Sequence, residues 1–212
     1  MEKEKPTLSM QLMLHESDRG AVLVGIAVID ESLTDLLQAA FVNDPPVQQV
    51  SITSLFSPNG PLATIWSKIH LANALGLLHP DVYSNLEIIR KLRNRFAYQK
   101  DPVDFLDTNV EQLINKLSIT KSFHDDLMKG KTYQWLHEGG KRISEARMSE
   151  AGYVKKNKAA FVFSVWHALG QIETTTTTVS KFGIERGRRW AKNHNKMVEI
   201  ALKIKTPASG KS

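Results

Sequence analysis

Two groups of residues in this chain have types and spacings that could do chemistry. The first is Arg93 and Asn94, inside the run Ile88-Ile89-Arg90-Lys91-Leu92-Arg93-Asn94-Arg95-Phe96-Ala97-Tyr98. A guanidinium beside an amide, next to an apolar stripe, can clamp a carboxylate with two parallel hydrogen bonds. Asp18 and Asp30 are carboxylates that could meet it across a helix interface. With Arg19 they form a candidate polar lock (Asp18, Arg19, Asp30, Arg93, Asn94) that would fix helix register. Removing one member of such a buried pair costs about 3 to 5 kcal/mol. The second group is Arg186-Gly187-Arg188-Arg189-Trp190 with Lys192 and Lys196. It offers cations for phosphates and an indole for stacking, so Arg186, Arg188, Arg189, Trp190, Lys192 and Lys196 are candidate nucleic-acid contacts. The plainer reading of the same residues is a solvated helix face with Trp190 packed on the core.

Other chemistries find little support. The chain has no cysteine, which removes disulfides, thiolate metal sites and cysteine nucleophiles. The seven histidines show no metal-ligand spacing such as His-x3-His. Serine lacks the strand-to-helix context of a hydrolase nucleophile, and no glycine-rich loop is placed to cradle phosphate. The expectation is therefore no metal, no cofactor and no enzyme.

The elements that must position these residues read as helices. At 212 residues, with 42% hydrophobic and 24% charged residues, the chain is in the globular class and long enough to bury a core. Its net charge of +6 is uneven: from Lys181 onward nine Lys and Arg face Glu185 and Glu199, a net of +7, which leaves the first 180 residues at −1. A basic end of this kind attracts polyanions without specifying a sequence. Leu8, Leu12 and Leu14 suggest a short helix, and Ser17 or Asp18 can cap the next, from Ala21 to about Phe41, whose first half is apolar on nearly every side. Residues 47–60 read as an extended connection ending in the turn Ser57-Pro58-Asn59-Gly60. A helix is expected from about Pro61, with Leu62, Ile65, Ile69, Ala72 and Leu75 on one face. Another, capped by Asp81, carries Val82, Leu86, Ile89, Leu92 and Phe96, and Asp107 caps a shorter one. Ala72, Gly76 and Val82 have spacings found in helix-turn-helix motifs, but also in any antiparallel helix pair. Short helices are expected over 120–158 and a buried helix over Ala159 to Ile172; the five threonines Thr174 to Thr178 predict a boundary.

The pattern Glu16-Ser17-Asp18-Arg19-Gly20 leading an apolar helix that contains Asp30, then Pro61-Leu62, then Ile69-x-Leu71-Ala72-x-Ala74-Leu75-Gly76-Leu77, then Ile89-Arg90-x-Leu92-Arg93-Asn94-x-Phe96-Ala97, resembles the mannitol operon repressor family. The resemblance covers roughly Leu8 to Leu117, and the helix from Phe161 to Leu169 extends it. It implies an all-α fold, an irregular helical bundle of about seven to nine helices. It also implies a transcriptional regulator that lacks a standard DNA-reading motif and works through protein partners. The family's Arg-Asn-x-Phe-Ala-His ending in turn looks like the Arg-x4-His signature of HEPN-type ribonucleases. Here the last position is Tyr98. Tyrosine, with a side-chain pKa of about 10, is a poor substitute for histidine as acid or base at neutral pH.

Two alternatives stand beside the regulator: a HEPN-like domain with lost or residual ribonuclease activity, and an interaction module without nucleic acid. The expected layout is a helical domain over 1–180 and a basic C-terminal segment over 181–212. The expected partners are a protein and, through the basic segment, DNA; the reading admits a homodimer and no membrane, and places the chain in the cytoplasm.

Overall fold

The computed structural model describes residues 5–41, 52–99, 102–118, 137–138, 141–142 and 156–193. Among them the chain is all-α, with eight helical segments. These are α1 (Lys5–His15), α2 (Asp18–Ala40), one turn at residues 52–55, α3 (Ile65–Ala74), α4 (Pro80–Tyr98), α5 (Thr108–Ile114), α6 (Lys156–Phe182) and α7 (residues 184–193). The chain divides into two compact units, one of Met1–Ile29 with Ser84–Leu169 and one of Asp30–Tyr83 with Gly170–Ser212. The long helices α2, α4 and α6 each contribute to both, and the boundary expected at residue 180 falls within α6.

Short side chains set the helix starts. Ser17 Oγ accepts from the Gly20 N–H at the head of α2, and Asp107 accepts from the Asn109 and Val110 N–H groups at the head of α5. The helix expected from Pro61 begins later, at Ile65. Leu62 N–H donates to Leu55 O and Ala63 N–H to Gly60 O, so residues 60–63 are held in turns until Thr64 caps α3 through the Ser67 N–H. At α4 the cap also differs from expectation. Pro80 takes the first helical position, which needs no donor, and His79 Nδ1 accepts from Asp81 N–H. The turn at Ser57 to Gly60 forms, with Gly60 N–H on Ser57 O, but residues 52–55 ahead of it are helical and not extended.

Asp107 is doubly used, since Arg95 also donates to it. That hydrogen bond is the main reason its carboxyl lies below its ordinary 3.8; burial opposes, and the Val110 and Asn109 N–H groups add to the depression. The sign follows: the contribution is fully present above pH 3.8 and is lost as pH falls through the depressed value. Arg95→Gln should therefore raise the Asp107 midpoint toward 3.8 in a carboxyl NMR titration, and an unmoved midpoint would refute the assignment.

The threonine run does not end a helix: α6 passes straight through it to Phe182. Thr174, Thr175, Thr176 and Thr178 each donate their hydroxyl to the carbonyl four residues back. This back-bonding satisfies the side chains inside the helix. Tertiary burial of Thr175 and Val179 then outweighs weak intrinsic propensity. Within 120–158, His137–Glu138 pairs antiparallel with Lys141–Arg142 where short helices were expected, and residues 156–158 open α6; residues 120–136, 139–140 and 143–155 lie outside the described residues.

In the first unit the core gathers Met13, Val22, Ile29, Leu86, Ile89, Leu92, Phe96, Phe105, Val110, Ile114, Phe161 and Val165, all buried. Gly25 of α2 is one of its contact points, since a Cβ there would lie 3.0 Å from Met13 Sδ and 3.2 Å from both Phe161 and Val165. The apolar run of α2 is not wholly enclosed: Leu23 and Ala27 face solvent. In the second unit the core is Leu33, Leu36, Leu37, Ile69, Ala72, Leu77, Val82, Ile172, Val179 and Ala191. Among the described residues no helix is long and apolar enough to cross a membrane.

Candidate functional site

In the first unit, the last turns of α4 bring Arg93, Asn94 and Tyr98 together. Residues 89, 92 and 96 of this helix are buried, which turns 93, 94 and 98 to the side or outward. Arg93 Nη1 donates to Tyr98 OH at 2.8 Å and to Asn94 Oδ1 at 3.2 Å, and its guanidinium carbon stands 5.1 Å from the Tyr98 ring centre. The phenol is thereby held in place while remaining 72% exposed. Arg19 of α2 reaches the same helix end, donating to Ala97 O at 3.2 Å, where a cation is favoured by the carbonyl end of the helix dipole. Leu106, 65% exposed, lies in the loop that follows α4.

The five lock residues are thus distributed over three arrangements. Arg93 and Asn94 join Tyr98, and Arg19 joins the carbonyl end of α4. Asp18 accepts from the Phe105 N–H at 3.1 Å, with Lys158 Nζ 3.9 Å from its other oxygen. Lys158 also donates to Glu16 O, and Asn157 donates to Phe105 O at 2.8 Å. Both backbone polar groups of Phe105 are therefore satisfied by side chains from distant segments. Its ring packs at a tilt against Phe96 and Phe161, with ring centres 5.2 and 5.6 Å away. In the second unit, Asp30 pairs with the buried Lys68 at 2.8 Å.

Sequence reasoning missed Lys68, Asn157, Lys158 and Phe105. The signal was weak but present: Asn157-Lys158 is a polar pair set directly against the apolar start of α6.

The helix-turn-helix spacing has little to offer a DNA groove. The apolar stripe of α4, Leu86, Ile89, Leu92 and Phe96, is committed to the core, and Arg90 is engaged by Glu87 through two hydrogen bonds. The basic segment is more open. On α7, Arg186, Arg189 and Lys192 lie on one exposed face, while Gly187 and Ala191 are buried on the other. Arg188 faces inward: Nε donates to Leu75 O at 2.6 Å and Nη1 pairs with Glu185. Trp190 is half-buried, with its indole nitrogen enclosed, and Lys196 lies outside the described residues. Among the described residues no cluster of His, Asp or Glu could hold a metal.

Comparison with known proteins adds to this geometry. The chain is similar in fold to MtlR as seen in its complex with HPr from Escherichia coli, with a TM-score of 0.59 at 15% identity, over 79% of this chain and 97% of that one. It is equally similar to a possible transcriptional regulator, YggD, from Shigella flexneri, with a TM-score of 0.59 at 20% identity, over 80% and 96% of the two chains. Comparison with curated proteins finds no significant match. The sequence signature of the mannitol repressors (MtlR) matches residues 9–173, which takes in α4 with its Arg93 and Tyr98 and nearly all of the helices described above. The chain belongs to the mannitol repressor family.

Proposed function

We propose that this chain is a cytoplasmic transcriptional regulator that acts by docking a protein partner on the exposed end of α4, and that the partner is of the HPr kind. The observation that carries the reading is Tyr98, 72% exposed yet fixed by Arg93. Tyrosine and arginine are the residue types that anchor interfaces, and a ring already held in place loses little entropy on binding. The guanidinium of Arg19 extends the surface with a cation, and the loop that follows α4 offers the exposed Leu106. The fold relative solved with HPr supplies the kind of partner. No catalytic step is assigned: Arg93 and Tyr98 do meet in the open, as a HEPN-like site would require, but a phenol is a poor proton carrier near neutral pH.

The basic face of α7 supports a second contact, with nucleic acid, of electrostatic and sequence-independent character. In this account the protein partner supplies specificity and α7 supplies attraction.

The test is a titration of the host's own HPr into the isotopically labelled full chain, followed by amide NMR. Shifts concentrated at Arg19, Arg93, Tyr98 and Leu106 are expected. Shifts confined to α7, or none at all, would refute docking on α4.

A further inference from the structure

We propose that the corner between α6 and α7 binds single-stranded nucleic acid, with a base stacked on Phe182 and phosphates running along Arg186, Arg189 and Lys192. This rests on the electrostatic role given above to α7 and adds to it the form of the ligand. Phe182 is the last residue of α6 and is 60% exposed. Gly183 follows with φ +84°, a left-handed turn that redirects the chain into α7 and leaves the ring outside. Arg186 sits one turn further on, its guanidinium carbon 5.0 Å above the ring centre. One face of an exposed aromatic ring is thus held by a cation, as in proteins that stack bases.

The surroundings decide what the ring is for. Residues 181–193 carry Lys181, Arg186, Arg188, Arg189 and Lys192 against Glu185, a net of +4. Glu185 is paired with Arg188, so the outward face is dominated by Arg186, Arg189 and Lys192. From Arg186 to Lys192 these cations extend about 9 Å along the helix axis. A protein partner docking through Phe182 would want more apolar surface than one ring amid cations. A duplex could use the cations but hides its base faces; a single strand can use both.

The platform is also fixed. Arg188 ties α7 to Leu75 O, and Gly187 sits so close to Val179 and Leu77 that any side chain there would strike Val179. The backbone that carries Phe182 and the cations is therefore fixed before a strand arrives, and Arg186 already lies on the ring.

The experiment is fluorescence anisotropy of the full chain with labelled oligo-dT, oligo-U, a duplex of equal length, and unlabelled polyphosphate as competitor, each over a salt series. The single strands should bind more tightly than the duplex, with a log–log salt slope of about −2 for three phosphate contacts. Phe182→Ala should weaken strand binding on the order of tenfold at every salt concentration without changing the slope. Phe182→Trp should keep it, and Arg189→Ala should reduce the slope by about 0.7. The tighter of oligo-dT and oligo-U assigns DNA or RNA as the natural strand. If duplex binds as well as single strand, or polyphosphate displaces the strands from wild type and Phe182→Ala alike, stacking is wrong while the electrostatic role of α7 stands. If no polyanion binds at low salt, both fail. If Phe182→Ala weakens HPr binding and leaves the oligonucleotides unaffected, the corner is a protein-docking surface and the proposal is overturned.

Discussion

Phe105→Ala should cost about 3 to 5 kcal/mol, the range for deleting a fully buried aromatic ring. Phe105 has no exposed surface and lies against Phe96 and Phe161, one ring from α4 and one from α6. The backbone of residue 105 cannot move freely to fill the space, because both of its polar groups are held by Asp18 and Asn157. Urea unfolding followed by circular dichroism should show a lower midpoint with an unchanged slope. A loss below about 1 kcal/mol would mean that the three rings do not form the centre of the first unit.

Asp18→Ala should be similarly severe, about 3 to 5 kcal/mol, for a different reason. It removes the acceptor of the Phe105 N–H and the carboxylate facing Lys158, whose ammonium is then left buried against the Glu16 carbonyl alone among the partners described above. Two comparisons separate these effects. Asp18→Asn keeps an oxygen for Phe105 N–H and loses only the charge, so it should cost clearly less. Lys158→Met, added to Asp18→Ala, removes the stranded cation and should recover part of the loss, since a buried ion pair replaced by apolar groups is often near neutral. A double mutant worse than the sum of its parts would contradict the pairing. Because Asp18 and Phe105 share a hydrogen bond, their single-mutant costs should not add.

These two residues also show what the sequence makes legible. The stripe Val82, Leu86, Ile89, Leu92 and Phe96 reads directly as one buried helix face, because a helical period is a local property of the chain. The caps at Ser17 and Asp107 are legible for the same reason. The polar lock is not. That Asp18 and Arg19 are engaged could be anticipated, but the partners of Asp18, Phe105 and Lys158, are 87 and 140 residues away, and no spacing rule encodes such distances. The threonine run misleads because propensity is a weak prior, and burial of Thr175 and Val179 overrides it. On α7 the cations are visible in the sequence, yet which of them faces water depends on Gly187 and Ala191 packing inward. That packing turns Arg188 to structural use and leaves Phe182, at the preceding corner, as the exposed aromatic.

The most direct test of the account is isothermal titration calorimetry of the host's HPr into three full-length proteins: wild type, Tyr98→Ala, and a variant with Arg186, Arg189 and Lys192 changed to Gln. Saturable binding to wild type is expected, with a loss of at least about 2 kcal/mol, roughly thirtyfold, in Tyr98→Ala, the scale of an interface anchor. The α7 variant should bind as wild type does. Absence of binding to wild type, or equal binding by wild type and Tyr98→Ala, would contradict the claim that this family member works through a partner seated on the end of α4.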